Sequence, residues 1–253
     1  MQKQLTTNLE SVRARIASAA QSAGRSADEI ELVAVTKAVS PAIAGALVEA
    51  GQLVLAENRV DELERKTAWF AEHSPHAASA LRWHLIGHLQ SNKARRAVRL
   101  ADVIHSIDSA KLLTAVDRIA GEEGRAPELY LQVKLVDEPA KSGLAPDELR
   151  SLVERVELEH ARLVGLMAIA PLPAEDAGDE EIQRTAATVF DALAALASEL
   201  PVEAFGGAAP RLSMGMSGDF ETAVRSGSHA VRVGSALFAG LRNEQDRTAE
   251  APR

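Results

Sequence analysis

The 253-residue chain contains no cysteine. That absence excludes disulfides, thiolate zinc centres, iron–sulfur clusters and cysteine nucleophiles, and it is compatible with a reducing compartment. Aromatic residues are scarce, 3 % of the chain with a single tyrosine, so the core has to be built from Ala, Val, Leu and Ile. No stretch approaches the roughly eighteen uncharged apolar residues that a membrane-spanning helix requires. The opening segment, MQKQLTTNLESVRAR, lacks the apolar centre of a secretion signal. A basic excess is missing too. Lys and Arg number 28 against 36 Asp and Glu, a net charge of −8, which is the wrong sign for a field that draws in nucleic acid. The expectation is a cytoplasmic protein with neither nucleic acid nor membrane as a partner.

What is present reads as one globular unit. Hydrophobic residues make up 46 % and charged residues 25 %, an ordinary balance, and the length suits a single α/β barrel. Leu5, Leu9, Val12 and Ile16 recur at helical spacing, so an amphipathic helix opens the chain. Short apolar runs then follow at 31–36, 53–56, 82–86, 103–107, 129–136, 162–169, 211–214 and 230–233. Helical stretches separate them, the first opened by Ser40-Pro41 and the last beginning near Ser235. Eight strands alternating with helices predict a parallel sheet closed into a (β/α)₈ TIM barrel, with an extra N-terminal helix and no second domain. An open doubly wound sheet is the alternative that the same alternation allows. The polar segment from about residue 243 is expected to fray.

In such a barrel, chemistry gathers where strands end and loops begin. Lys37 falls there, one residue beyond ELVAVT. Burial at the end of an apolar strand would disfavour its charged form and free the amine for Schiff-base chemistry, although a loop lysine can equally point to water. The seventh strand runs into Ser213-Met214-Gly215-Met216-Ser217-Gly218-Asp219, and the eighth passes through Arg232 into Gly234-Ser235. Small residues and hydroxyls at helix N-termini present N–H groups to an anion, and loops seven and eight hold phosphate in many barrels. Either turn alone means little, since turns need glycine anyway. Together, beside a strand-one lysine across a closed ring, they point to a phosphate bearing an aldehyde, and pyridoxal 5′-phosphate fits. His84 and His88 are four apart but carry no accompanying carboxylate motif, so no metal site is expected. Lys93, Arg95, Arg96 and Arg99 read as a solvated helix face, with anion binding as the alternative.

These residues also sit in a longer set of motifs. They are the segment 32–37, Glu57-Asn58, the run 84–93 (HLIGHLQSNK), Asp137-Glu138 with Lys141-Ser142-Gly143, the segment 165–169, residues 212–217 with Asp219, and the segment 231–234. From about Leu32 to Leu241 the chain resembles the pyridoxal phosphate homeostasis proteins, which look like the barrel domain of alanine racemase without its second, β-rich domain. The resemblance implies that Lys37 carries the Schiff base and that Ser213, the Met214 amide, Gly234 and Ser235 cradle the phosphate. It implies that Arg232 faces the pyridine nitrogen and that Asn58 and Ile86 line the ring. A guanidinium there would keep that nitrogen unprotonated and weaken the ring as an electron sink. The chain departs from the family at Ala38-Val39-Ser40, where a second lysine is usual, at Arg59 for Tyr, at His88 for Pro and at Lys134 for Asn.

Two functions follow. One is a non-catalytic, monomeric carrier or buffer in pyridoxal phosphate homeostasis, with apo enzymes that use the cofactor as recipients. The other is an amino-acid racemase. Racemisation needs an acid/base group on each face of the bound substrate. Lys37 can serve one face. Tyr130 is expected at the far end of the barrel, so His88 is the remaining donor for the second.

Overall fold

β1 (Glu31–Val35) bonds in parallel to β2 (Val54–Glu57) along one edge and to β8 (Ala230–Val233) along the other. That second pairing decides the topology. With β3 (Arg82–Leu85), β4 (Val103–Ile107), β5 (Glu128–Gln132), β6 (Arg162–Met167) and β7 (Arg211–Ser213) in sequence order between them, the sheet is a closed barrel. The open sheet is excluded. The computed structural model describes residues 1–136, 142–171 and 178–241. Asp137, Glu138, Lys141 and the polar segment from 243 therefore lie outside the described residues.

The helices that clothe the barrel are α1 (Gln2–Ser22), α2 (Pro41–Glu49), α3 (Val60–His73), α4 (Pro75–Ala78), α5 (Ala94–Leu100), α6 (Ala110–Glu123), α7 (Pro146–Val153), α8 (Asp179–Ser198) and α9 (Phe220–Arg225). Local chemistry sets several ends. Ser40 Oγ accepts from the Ile43 amide with Pro41 in the first turn, and Ser109 Oγ does the same for Leu112. Each satisfies an amide that the helix leaves unpaired. Gly124 closes α6 in the left-handed conformation, φ 61°, which costs glycine little. In α1 the stripe Leu5, Leu9, Val12, Ile16 is buried as its spacing predicts. Asn8 of that helix donates to the Leu237 and Ala239 carbonyls, both at 2.9 Å.

Three expectations need correction. β5 stops at Gln132, four residues early, and among the described residues an isolated bridge from Val133 to Leu144 continues it. The helix expected from Ser235 is a run of turns through 235–240, with Gly240 at φ 75°. A one-turn helix, α4, stands before β3 where none was anticipated.

Side chains alternate across each strand. Leu32, Ala34, Leu55, Leu85, Ile104 and Leu129 join the large core shared with the helices. Their neighbours on the other face fill the barrel in two smaller clusters, one around Val33, Val35 and Ala56, the other around Val103, Tyr130 and Met167. His84, His105, Ser213 and Arg232 are buried too, and they are polar.

Candidate functional site

The end of β1 is held by an ion pair that the sequence does not announce. Lys66 of α3 is fully buried, and its Nζ donates to Glu57 Oε1 and to the Thr36 carbonyl, both at 2.5 Å. Thr36 Oγ1 donates to the same carboxylate oxygen at 2.6 Å. Burial pushes the Lys66 amine down, and the Glu57 carboxylate pulls it back. Three elements are thereby tied at the residue before Lys37. Lys37 itself is exposed at the rim, the loop position facing water that its place beyond the strand end left open, rather than desolvated.

Across the mouth, the loops after β7 and β8 converge on one hydroxyl. The amides of Gly234 and Ala236 both donate to Ser217 Oγ, at 3.1 and 3.4 Å. Two backbone donors aimed at one oxygen are the arrangement that receives an anion. Asp219 accepts from the Met216 amide at 2.5 Å and shapes that loop. Gly215 stands at φ 92°, and a Cβ there would lie 2.5 Å from the Ala223 side chain. A cavity of about 540 Å³ opens between this cradle and the β1 turn, with Lys37, Ile86, Ser217, Arg232, Gly234 and Ser235 in its lining. Val35, Val39 and Phe238 give it an apolar wall. The volume and the mixed lining suit a cofactor-sized ligand.

Arg232 is buried to 4 % exposure. Its Nη1 donates to Ser213 Oγ at 2.6 Å and its Nη2 to the Ala168 carbonyl at 3.0 Å. Burial pulls the guanidinium down to about 10, with Asp219 opposing, so it is charged at neutral pH.

Of the eight residues singled out from the sequence, the fold brings Lys37, Ile86, Arg232, Gly234 and Ser235 onto one cavity. Asn58, Ser213 and Met214 stand outside that lining. Asn58 is half-buried just beyond β2. The Ser213 hydroxyl is engaged by Arg232 and His105, and the Met214 amide donates to the Ala230 carbonyl at 3.2 Å. Sequence reasoning missed Ser217, whose position in a Gly- and Ser-rich turn was its only sign. It also missed His105, a histidine on the inward period of β4, and the Glu57–Lys66 pair.

The remaining candidates resolve simply. His88 is exposed, sits 3.1 Å from an Asp108 carboxylate oxygen, and does not line the cavity. Lys93 and Arg96 pair with Asp61, while Arg95 and Arg99 pair with Glu123. The basic run is thus a neutralised seam among α3, α5 and α6. Lys134 is half-buried, with its amide bonded to the Leu144 carbonyl. Among the described residues, no group of three or more His, Asp or Glu is placed to hold a metal ion, and no helix is long and apolar enough to cross a membrane.

Comparison with known proteins adds to this geometry. Residues 7–242 match the family described as alanine racemase, N-terminal domain. The chain is 35 % identical over 240 residues to the pyridoxal phosphate homeostasis protein of Vibrio cholerae, covering 93 % of this chain and 96 % of that one. It is 37 % identical over 232 residues to the protein of the same description from Escherichia coli, covering 91 % and 94 %. The solved structure of PipY from Synechococcus elongatus with PLP bound superposes with a TM-score of 0.77 at 37 % identity, covering 93 % of this chain and 100 % of that one.

Proposed function

The chain belongs to the pyridoxal phosphate homeostasis proteins, within the alanine racemase N-terminal domain family, and from that premise we propose that it binds pyridoxal 5′-phosphate as a Schiff base on Lys37. One observation carries the reading. Lys37 at the end of strand one shares a cavity of about 540 Å³ with Gly234, Ser235 and Ser217, the hydroxyl on which the Gly234 and Ala236 amides converge. The Lys37 amine condenses with the aldehyde and releases water, and water reverses the bond. Gly234, Ser217 and Ser235 receive the phosphate. Arg232 turns a charged donor toward the ring nitrogen, which disfavours protonation there. Ile86 packs against the ring, while Ser213, outside the lining, holds Arg232.

The protein then acts as a cytoplasmic, monomeric carrier or buffer that limits free aldehyde and passes the cofactor to apo enzymes. The exposed Lys37 favours this reading, because a bond open to water is easily reversed. Among the described residues of the lining, the second base that a racemase requires has no counterpart, and His88 lies outside it beside Asp108.

Borohydride reduction of the loaded protein followed by peptide mapping should place the pyridoxyl group on Lys37. Label found mainly on Lys134 or Lys141 sinks the assignment. Loaded protein should transfer the cofactor to an apo enzyme and should exchange the α-proton of alanine negligibly in deuterated water. Fast exchange that vanishes in both Lys37→Ala and His88→Ala would make the chain a racemase instead.

A further inference from the structure

Four buried side chains on four strands form one hydrogen-bonded column across the barrel. Arg232 Nη1 meets Ser213 Oγ at 2.6 Å, Ser213 Oγ meets His105 Nδ1 at 2.8 Å, and His105 Nε2 meets His84 Nδ1 at 2.9 Å. At the far end, His84 Nε2 is buried without a hydrogen-bond partner, 3.9 Å from a Glu31 carboxylate oxygen. Barrel interiors are ordinarily filled by branched aliphatic side chains. A polar column between two apolar clusters therefore needs a reason of its own.

Counting protons gives one. A guanidinium only donates, so Ser213 Oγ is the acceptor in its bond to Arg232. Both histidines are fully buried, and burial holds each ring well below its usual pKa, so each carries one N–H. Two arrangements satisfy the contact between the rings. In the first, Ser213 donates to His105 Nδ1, His105 Nε2–H donates to His84 Nδ1, and His84 Nε2–H points toward Glu31. In the second, every proton is reversed. Ser213 Oγ then takes donors from both sides with its own proton unplaced, and a bare His84 nitrogen faces the Glu31 carboxylate. The first arrangement wins on both counts. Its consequence lies at the other end of the column. The Ser213 proton is committed to His105, and an oxygen lone pair is held toward Arg232.

We propose that His105 and His84 are positioning residues for Arg232, a histidine pair held in one tautomer that takes the Ser213 proton and so orients a lone pair of that hydroxyl toward the guanidinium. His105 is itself held flat against Tyr130, with ring centroids 4.6 Å apart and planes 9° from parallel. Arg232 is thus anchored at Nη1 through the column and at Nη2 by Ala168, and the rest of the guanidinium is left for the cavity it lines. The consequence for the cofactor rests on the function proposed above. The tautomers do not.

Long-range proton–nitrogen NMR of the histidine-labelled chain without cofactor tests the column directly. Both rings should be neutral at pH 7 and protonated at Nε2. A His105 ring protonated at Nδ1, or on both nitrogens, overturns the proposal. In the loaded protein, His105→Phe keeps a ring against Tyr130 but removes the acceptor. It should displace the cofactor's visible absorption band and weaken retention about tenfold, the equivalent of about 1.4 kcal/mol. Ser213→Ala should do the same, and the double variant should lose no more than Ser213→Ala alone, because both act through one hydroxyl. Additive losses refute the relay. If His105→Phe does not fold, the NMR of the unaltered chain still decides. Absence of an adduct on Lys37 would remove the proposed function while leaving the tautomer assignment intact.

Discussion

Gly87 has no room for a side chain. A Cβ there would lie 2.0 Å from the Asn58 carbonyl oxygen and 2.9 Å from its Cα, both backbone atoms that cannot swing aside. The Gly87 carbonyl accepts from Ser106 Oγ at 2.7 Å, which fixes the peptide from the other side. Gly87→Ala should therefore push apart the ends of β2 and β3, where Asn58 and Ile86 sit. Overpacking of this kind costs about 1–3 kcal/mol, and the variant should also release pyridoxal phosphate faster on dialysis. Urea unfolding together with cofactor retention checks both. Unchanged retention in a destabilised variant would show that the β2 and β3 ends do not shape the site.

At the scale of elements, the Glu57–Lys66 pair joins β1, β2 and α3 beneath the Lys37 turn. A buried pair is not itself a large source of stability, because both charges lose their hydration. Losing one partner is different. Lys66→Met leaves a buried carboxylate with one oxygen, Glu57 Oε2, already unpartnered and the other reduced to the Thr36 hydroxyl. The expected loss is about 3–5 kcal/mol, read from chemical denaturation. Glu57→Gln placed on top of Lys66→Met should recover part of it, since the uncompensated charge is gone. A Lys66→Met variant as stable as the parent would show that the pair is dispensable. The same scale explains the basic run on α5. Its charges meet acidic residues of α3 and α6, so helix packing rather than a ligand accounts for them.

For the whole molecule, the buried histidines set a pH dependence. His84 and His105 are held neutral in the fold, and each takes up a proton near pH 6.5 once released. Below that pH the unfolded chain binds more protons than the folded one, so stability falls as the pH falls. It is complete only about a pH unit or more above 6.5. The slope should reach about 1.4 kcal/mol per pH unit for each histidine. Glu31 and Asp219 are raised by burial and act in the opposite sense at lower pH, so the comparison belongs between pH 7.5 and 5.5. Urea midpoints should drop across that range in the parent and drop less in a variant carrying His84→Gln and His105→Gln. Equal slopes in the two proteins would show that the rings are not buried neutral.

The barrel was legible in the chain because strand and helix periodicities are local, and eight alternations leave few other ways to bury eight apolar runs. Lys37 and the turns after strands seven and eight were legible for a similar reason. Their positions at strand ends follow from element boundaries alone. Closure was decided only in three dimensions, by the pairing of β1 with β8. So were the buried partnerships. Lys66 reads as one more charge in a polar helix until the fold sets it under Thr36, and His105 reads as a polar interruption of an apolar strand until Ser213 arrives from 108 residues away. Periodicity reports which face of an element is buried. Which donor meets which acceptor inside depends on contacts between residues far apart in the chain, and those exist only once the ring has closed.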